Sequence, residues 1–273
     1  KIVVFGGTGF LGKRICENAV KRGYEVVSIS GSGRKPEAYA REESSWIEKV
    51  QWRKGNVFRP ETYRSELRDA RAVVHSIGIL FENDSYKKIV GSQDGVLNAV
   101  SGLFRTANPM AKSPDVAGNV VIDKTYERYN TESALVPAEA LVESRAGESG
   151  SAPVPAFVYV SADRGFPGIP SGYIESKRRT EYELYQLQPS LRPVILRPGF
   201  LYDPSEVGDG KRTLRGALKG AVDVLDAVNR RLLFNALDGV IRPSVSTKVV
   251  AQWCVDKIDD PEFHGPVMLD EMI

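Results

Sequence analysis

The sequence predicts an α/β fold: a doubly wound parallel sheet with helices on both faces and a small lobe at its carboxyl-terminal end. Two observations predict it. Short apolar runs alternate with amphipathic helical stretches along most of the chain, the pattern of repeated strand–helix–strand crossovers. The first run, Lys1 to Phe5, opens into the glycine-dense turn Gly6-Gly7-Thr8-Gly9-Phe10-Leu11-Gly12, and a helical pattern follows directly. The length of 273 residues suits a single such domain. We expect a core over 1–200 with an irregular insertion at 83–118, and a substrate-side lobe built from 201–240 and 259–273.

Composition narrows the classes. Apolar residues make up 42%, enough for a sizeable core, and the net charge of +2 gives no case for a nucleic-acid-binding protein. Cys16 and Cys254 fall in predicted helices outside any metal or redox spacing, so each reads as a reduced core thiol. His75 and His264 cannot build a zinc site by themselves. No run approaches the ~18 apolar residues of a membrane span. The first strand begins at once, so we expect any targeting segment to lie outside this sequence.

The strand, tight turn and helix at the start form the Rossmann-like arrangement that receives a dinucleotide pyrophosphate. Side chains in the turn would block the approach of backbone to phosphate, and the first N–H groups of the helix are open to anions. The spacing is G-x-x-G-x-x-G through Gly6, Gly9 and Gly12. Gly6, Thr8, Gly9, Phe10, Leu11 and Gly12 are therefore expected to bind cofactor, with Arg14 just inside the helix. That helix should run from Phe10 to Arg22 and the second strand from Glu25 to Ile29. Beyond it stand Ser30-Gly31-Ser32-Gly33-Arg34-Lys35, with no acid before Glu37. An acid here usually accepts bonds from the adenosine ribose hydroxyls of NAD, whereas hydroxyls and cations suit a 2′-phosphate. NADPH is thus favoured over NADH, with Ser30 and Arg34 as its ligands.

Val50 to Arg53 reads as the third strand, followed by Asn56 and Val57. A short helix covers Tyr63 to Leu67. Ala72 to Ile77 is the fourth strand, and Ser76, Ile77 and Gly78 at its carboxyl end join the cofactor set. His75 reads as structural. A long helix is expected from Val121 to Ser144, bent or divided at Pro137, and then a strand from Ala156 to Val160. Tyr173-Ile174-Glu175-Ser176-Lys177 opens a helix that reaches Gln188. Tyr173 and Lys177 are four apart and share one face. An adjacent ammonium should lower the phenol pKa and hold the nicotinamide ribose, leaving Tyr173 as acid or base.

Leu191 to Leu196 forms the sixth strand, and Pro198 behind it borders the cofactor. A basic amphipathic helix over 211–232 either docks on the cleft or makes peripheral contact with a membrane or a partner. Ile241 to Ser246 should be extended, Thr247 to Ile258 helical, and Val267 to Leu269 a terminal strand.

Gly6 to Gly12, Tyr173 to Lys177 and Arg197-Pro198-Gly199 occur in this order, and the chain resembles the extended or atypical short-chain dehydrogenase/reductase superfamily over nearly its whole length. Val74-His75-Ser76-Ile77-Gly78-Ile79-Leu80, Ser161-Ala162-Asp163-Arg164-Gly165-Phe166-Pro167 and Ile241 to Thr247 bring it closest to a fungal mitochondrial family of coenzyme Q (ubiquinone) biosynthesis proteins. More distantly it is similar to the dehydrogenase-like accessory subunit of respiratory complex I. The resemblance implies NAD(P)H binding on the matrix side of the inner membrane, within the coenzyme Q biosynthesis protein complex. It also implies a Ser or Thr just past the fifth strand that bonds the substrate carbonyl. That place falls near Asp163, whose charge would repel an oxyanion, and Ser161 lies two residues early. Either Ser161 or Ser171 substitutes, or carbonyl reduction has been lost. The chain then reads as a reductase of a quinone precursor with Tyr173, Lys177 and Ser161 as its catalytic set, or as an inactive cofactor-binding scaffold.

Overall fold

The structure is a computed structural model, and it describes residues 1–36, 45–80, 116–117, 120–121, 125–146, 153–164, 169–207 and 242–273. Nearly all of the insertion at 83–118 and the whole 211–232 stretch fall outside the described residues.

The strands of the main sheet are β1 (Ile2–Phe5), β2 (Val26–Ser30), β3 (Val50–Lys54), β4 (Ala72–His75), β7 (Ala156–Val160), β8 (Arg192–Leu196) and β11 (Gly265–Val267). They pair in the order β11-β8-β7-β4-β1-β2-β3, parallel throughout. Strands covered on both faces read as near-continuous apolar runs. Accordingly β1, β4 and β8 are buried at every residue. Between β4 and β7 lies a short antiparallel hairpin of β5 (Val116–Ala117) and β6 (Val120–Val121). A separate parallel pair joins β9 (Phe200–Tyr202) to β10 (Ser244–Ser246).

On one face lie α1 (Gly12–Lys21) and, late in the chain, a helix over Thr247–Asp259. Ile15, Cys16 and Ala19 meet Val250, Cys254 and Ile258 there in one apolar cluster. Both cysteines are buried and unpaired. The Ser246 side chain caps the later helix by accepting from the Val249 N–H at 3.1 Å. The opposite face carries α2 (Arg64–Leu67), α3 (Ser133–Ser144) and α4 (Ser171–Gln186), with Leu67, Ala134, Ala138, Leu141 and Leu184 packed under them. After β9 comes α5 (Pro204–Val207), so the Thr247–Asp259 helix is α6.

Three expectations change. The long helix does not begin at Val121: Val120 and Val121 belong to the hairpin, and helical backbone begins at Tyr126. Its first part, Glu127–Glu132, is π-helical, and α3 then runs through Pro137 without dividing. The terminal strand is Gly265–Val267 rather than Val267 to Leu269, and it is the seventh strand of the main sheet. The 259–273 stretch therefore completes the core instead of forming a lobe, with Leu269 and Met272 buried in the α1–α6 cluster.

Candidate functional site

The chain turns from β1 to β2 on one side and reaches β4 on the other, so a crevice opens beyond the carboxyl ends of β1 and β4. The glycine turn leads out of β1 into it. Gly6 stands at φ +83°, a conformation that side chains disfavour. Its carbonyl accepts the Gly9 N–H at 2.8 Å. A Cβ on Gly12 would lie 2.1 Å from that same oxygen, so the helix start packs backbone against backbone. Leu11 is buried beneath the turn, and Thr8, Gly9 and Phe10 are partly exposed.

The residues after β4 extend this cradle. Ser76 Oγ donates to the Phe5 carbonyl at 2.9 Å and lies 2.8 Å from the place a Gly12 Cβ would occupy. Ile77 packs against Gly6. A Cβ on Gly78 would fall 3.1 Å from both Lys177 Nζ and Asn130 Oδ1. Three consecutive residues thus run from the glycine turn to the Tyr–Lys helix.

At the other end, Ser30 closes β2, its Oγ accepting the Gly33 N–H at 3.1 Å, and Arg34 is exposed beyond it. Lys35 instead pairs with Glu48 at 2.6 Å. Asn56 is exposed, with Oδ1 accepting the Phe58 N–H at 3.0 Å, and Val57 is buried. Arg14 departs from its expected role. It is buried, with Nε donating to Asp203 Oδ2 at 2.9 Å and Nη1 to Glu17 Oε2 at 2.7 Å. Burial opposes its charge, but the bonds from Asp203 and Glu17 prevail and raise its pKa. Arg14 therefore fastens α1 to the chain after β9 instead of reaching into the crevice.

Tyr173 and Lys177 stand on the first turns of α4. Lys177 is 3% exposed, and its Nζ donates to the Val160 carbonyl at 2.9 Å. Nζ lies 4.7 Å from the centre of the Tyr159 ring and 5.9 Å from that of Tyr173. Burial pushes Lys177 down to about 7, opposed by Glu181, and pushes Tyr173 up to about 12, opposed by Arg178. The expected lowering of the phenol pKa is therefore absent. Both groups lose hydration, and the ammonium turns to a carbonyl and a neighbouring ring rather than to the phenol oxygen.

Sequence reasoning missed Asn130. It is fully buried in the π-helical stretch. Its amide oxygen accepts the Ile79 N–H at 2.8 Å, and its amide nitrogen donates to the Ile79 carbonyl at 3.1 Å and to Ser176 Oγ at 3.0 Å. It ties the end of β4 to α4 beside Lys177. The signal was an amide placed on a helix face otherwise destined for burial. His75 is structural: Ser133 Oγ already donates to the Tyr129 carbonyl, so His75 Nε2 donates to that oxygen at 3.0 Å. Burial, with Lys177 adding to it, lowers His75 to about 3.

Ser161 follows β7 and is 3% exposed, but its hydroxyl faces α4, donating to Glu181 Oε1 at 2.5 Å. Glu181 also accepts from Arg178 Nη1 at 2.7 Å and from Arg197 Nε at 3.1 Å. Asp163 does not stand as a bare charge: its Oδ2 accepts from Arg242 Nε at 2.7 Å, and Arg242 reaches on to Asp270 at 2.8 Å. The expected repulsion of an oxyanion by Asp163 is thus offset by a guanidinium. Pro198 is buried, its carbonyl accepting the Asp163 N–H at 2.9 Å. Ser171, the other expected substitute, is exposed at the start of α4.

Residues 2–90 match the NAD dependent epimerase/dehydratase family. The whole chain is 40% identical to MIOREX complex component 2 of Saccharomyces cerevisiae, covering 98% of that protein. It is 28% identical to an uncharacterised chloroplastic protein of Arabidopsis thaliana, covering 76% of it. Among solved structures, Bordetella bronchiseptica WbmH in complex with NAD+ shares the fold, with a TM-score of 0.51 and 18% identity over 98% of this chain and 74% of that one.

Proposed function

The chain belongs to the short-chain dehydrogenase/reductase superfamily, in one family with the yeast MIOREX complex component 2, and on that premise we propose that it binds NADPH as part of its fold within the mitochondrial coenzyme Q biosynthesis complex. The cradle fits a dinucleotide, since any Cβ at Gly12 would fill the space between turn and helix. Gly6 to Gly12 would hold the pyrophosphate on the helix start. Asn56 and Val57 would line the adenine side, and Ser30 and Arg34 the adenosine ribose phosphate. Ser76, Ile77, Gly78, Lys177 and Pro198 would line the nicotinamide half. When bound, the group carries a transferable hydride.

The observation that favours holding over turnover is the Ser161 hydroxyl. It donates to Glu181, so it has no proton left for a substrate carbonyl. A ligand that binds only the folded state stabilises it by about 2.7 kcal/mol at a hundredfold excess over Kd. That is enough to keep a docking surface ordered. The assembly is organellar in this reading, on the matrix side of the inner membrane, and the basic 211–232 stretch of sequence would be its peripheral membrane contact.

A second reading rests on α4. Tyr173 and Lys177 keep one face, and a phenol raised to about 12 is protonated at neutral pH, as a general acid must be. Lys177 would orient the ribose and Tyr173 would protonate a reduced quinone-ring or polyprenyl precursor. Calorimetric titration with NADPH and NADH is the first test. Absence of binding to either by folded protein defeats both readings.

A further inference from the structure

Resting on the NADPH reading above, we infer that Lys54, at the end of β3, is the second cation of a pocket for the adenosine 2′-phosphate and helps decide NADPH over NADH. Ser30 and Lys54 are partners at the last register position of the β2–β3 pair. Side chains alternate along a strand, and register partners in neighbouring strands point to the same face. Ser28, two residues before Ser30, faces the glycine turn: a Cβ on Gly7 would lie 2.4 Å from its Oγ. Ser30 and Lys54 therefore share the face of the turn. Arg53 takes the other face, where its Nε lies 3.9 Å from Glu66 on the α2 side.

The loop after β2 is folded onto this corner. Gly33 stands at φ +64°, and a Cβ there would lie 2.6 Å from the Lys54 backbone nitrogen. Only glycine lets the loop pack so closely against the end of β3. The loop thereby holds Gly33, the neighbour of Arg34, against Lys54, and both cations are exposed. Neither has a carboxylate partner within ion-pair distance among the described residues, whereas Lys35 is taken by Glu48. Ser30 Oγ accepts from Gly33, which leaves its own proton to donate. One hydroxyl and two cations without a carboxylate partner among the described residues, around a backbone turn, match a phosphate monoester, which accepts through three oxygens and carries close to two charges. The 2′-hydroxyl of NADH offers them no charge.

The test is calorimetric titration of wild type, Lys54→Ala, Arg34→Ala and Lys35→Ala with NADPH, NADH and 2′,5′-ADP. Lys54→Ala should weaken NADPH and 2′,5′-ADP at least tenfold, leave NADH within twofold, and flatten the salt dependence of NADPH binding. Lys35→Ala should change none of the three. Equal loss of NADPH and NADH, or no loss of either, overturns the role of Lys54, as does a wild type that binds both equally well. In those outcomes dinucleotide binding itself still stands. No binding of any nucleotide by folded wild type defeats the NADPH reading instead.

Discussion

On the glycine-turn side of the crevice Gly12 meets Gly6 backbone to backbone, whereas on the far side Glu181 is met by side chains from the end of β7, from α4 and from beyond β8. The first contact leaves no room for any substitution and is complete within seven residues. The second is a balanced cluster of charges and a hydroxyl, gathered from places far apart in the chain. The contrast carries a functional lesson. The half proposed to bind phosphate is kept open by the absence of side chains at Gly6, Gly9 and Gly12. The half that would polarise a carbonyl is filled by side chains that satisfy one another, and Ser161 is used up in doing so.

The largest effect should come from the backbone half. Gly12→Ala puts a carbon 2.1 Å from a carbonyl oxygen that cannot move without opening the turn. We expect nucleotide binding to vanish in calorimetry, with a loss of about 3 kcal/mol in denaturant unfolding, at the upper end for overpacking. A folded Gly12→Ala that still binds NADPH would break the contrast at its stronger end. Glu181→Gln tests the other half. It leaves the Arg197 and Arg178 guanidinium groups without their shared carboxylate in a part-buried site. The expected loss is about 2 to 3 kcal/mol, reduced from the cost of a fully buried pair because both arginines reach some solvent. NADPH affinity should stay within a few-fold of wild type. A collapse of affinity instead would mean that the two halves are one unit.

The first half was legible in the sequence because its cause is local. Glycines at Gly6, Gly9 and Gly12 between an apolar run and a helix describe a turn with no long-range partner. The central strands β1, β4 and β7 were legible for the same reason, each being a short, mostly apolar run buried along nearly its whole length. What failed was non-local. Nothing near Arg14 announces Asp203, 189 positions away, and nothing near Asp163 announces Arg242, 79 positions on. The terminal strand was expected at Val267 to Leu269 and stands instead at Gly265–Val267, because its partner, β8, is chosen by the closure of the core and not by the strand's own residues. Asn130 is the instructive case. Its position on the helix was clear, but its bonds to Ile79 and Ser176 depend on the π-helical turn that carries it.

The titration of Lys177 sharpens the comparison at smaller scale. Its folded pKa, about 7, lies below the ordinary 10.5. Between those values the unfolded chain holds a proton that the folded chain lacks. This group's contribution to stability should therefore rise as pH rises from about 7, at up to about 1.4 kcal/mol per pH unit. His75 adds a rise of the same sign only below about 6.5, down to its folded pKa of about 3, whereas the Cys16 and Cys254 thiols, pushed up by burial, act with opposite sign from about pH 9 and Tyr173 above 10. Measured between pH 7.5 and 8.5 without nucleotide, the slope should flatten in Lys177→Met. An unchanged slope in that variant would mean that the ammonium is hydrated and the pair on α4 more open than the buried contacts with Val160 and Tyr159 imply.

The smallest expected effect is also the most discriminating. The Tyr173 hydroxyl has no hydrogen-bond partner among the described residues, and its ring rests against that of Tyr126 at 6.3 Å. Tyr173→Phe keeps the ring and removes only the oxygen, so stability should change by less than about 0.5 kcal/mol. NADPH affinity should be unchanged, because Lys177 donates its hydrogen bond to the Val160 carbonyl and not to the phenol. If the dinucleotide serves to hold the fold, coenzyme Q content and complex assembly should also match wild type in cells carrying this variant. If coenzyme Q falls while the complex assembles and the purified variant still binds NADPH, the phenol is moving a proton. Ser161 would then have to exchange Glu181 for substrate during the reaction. Glu181→Asp, which shortens the acceptor, should in that case raise turnover rather than lower it.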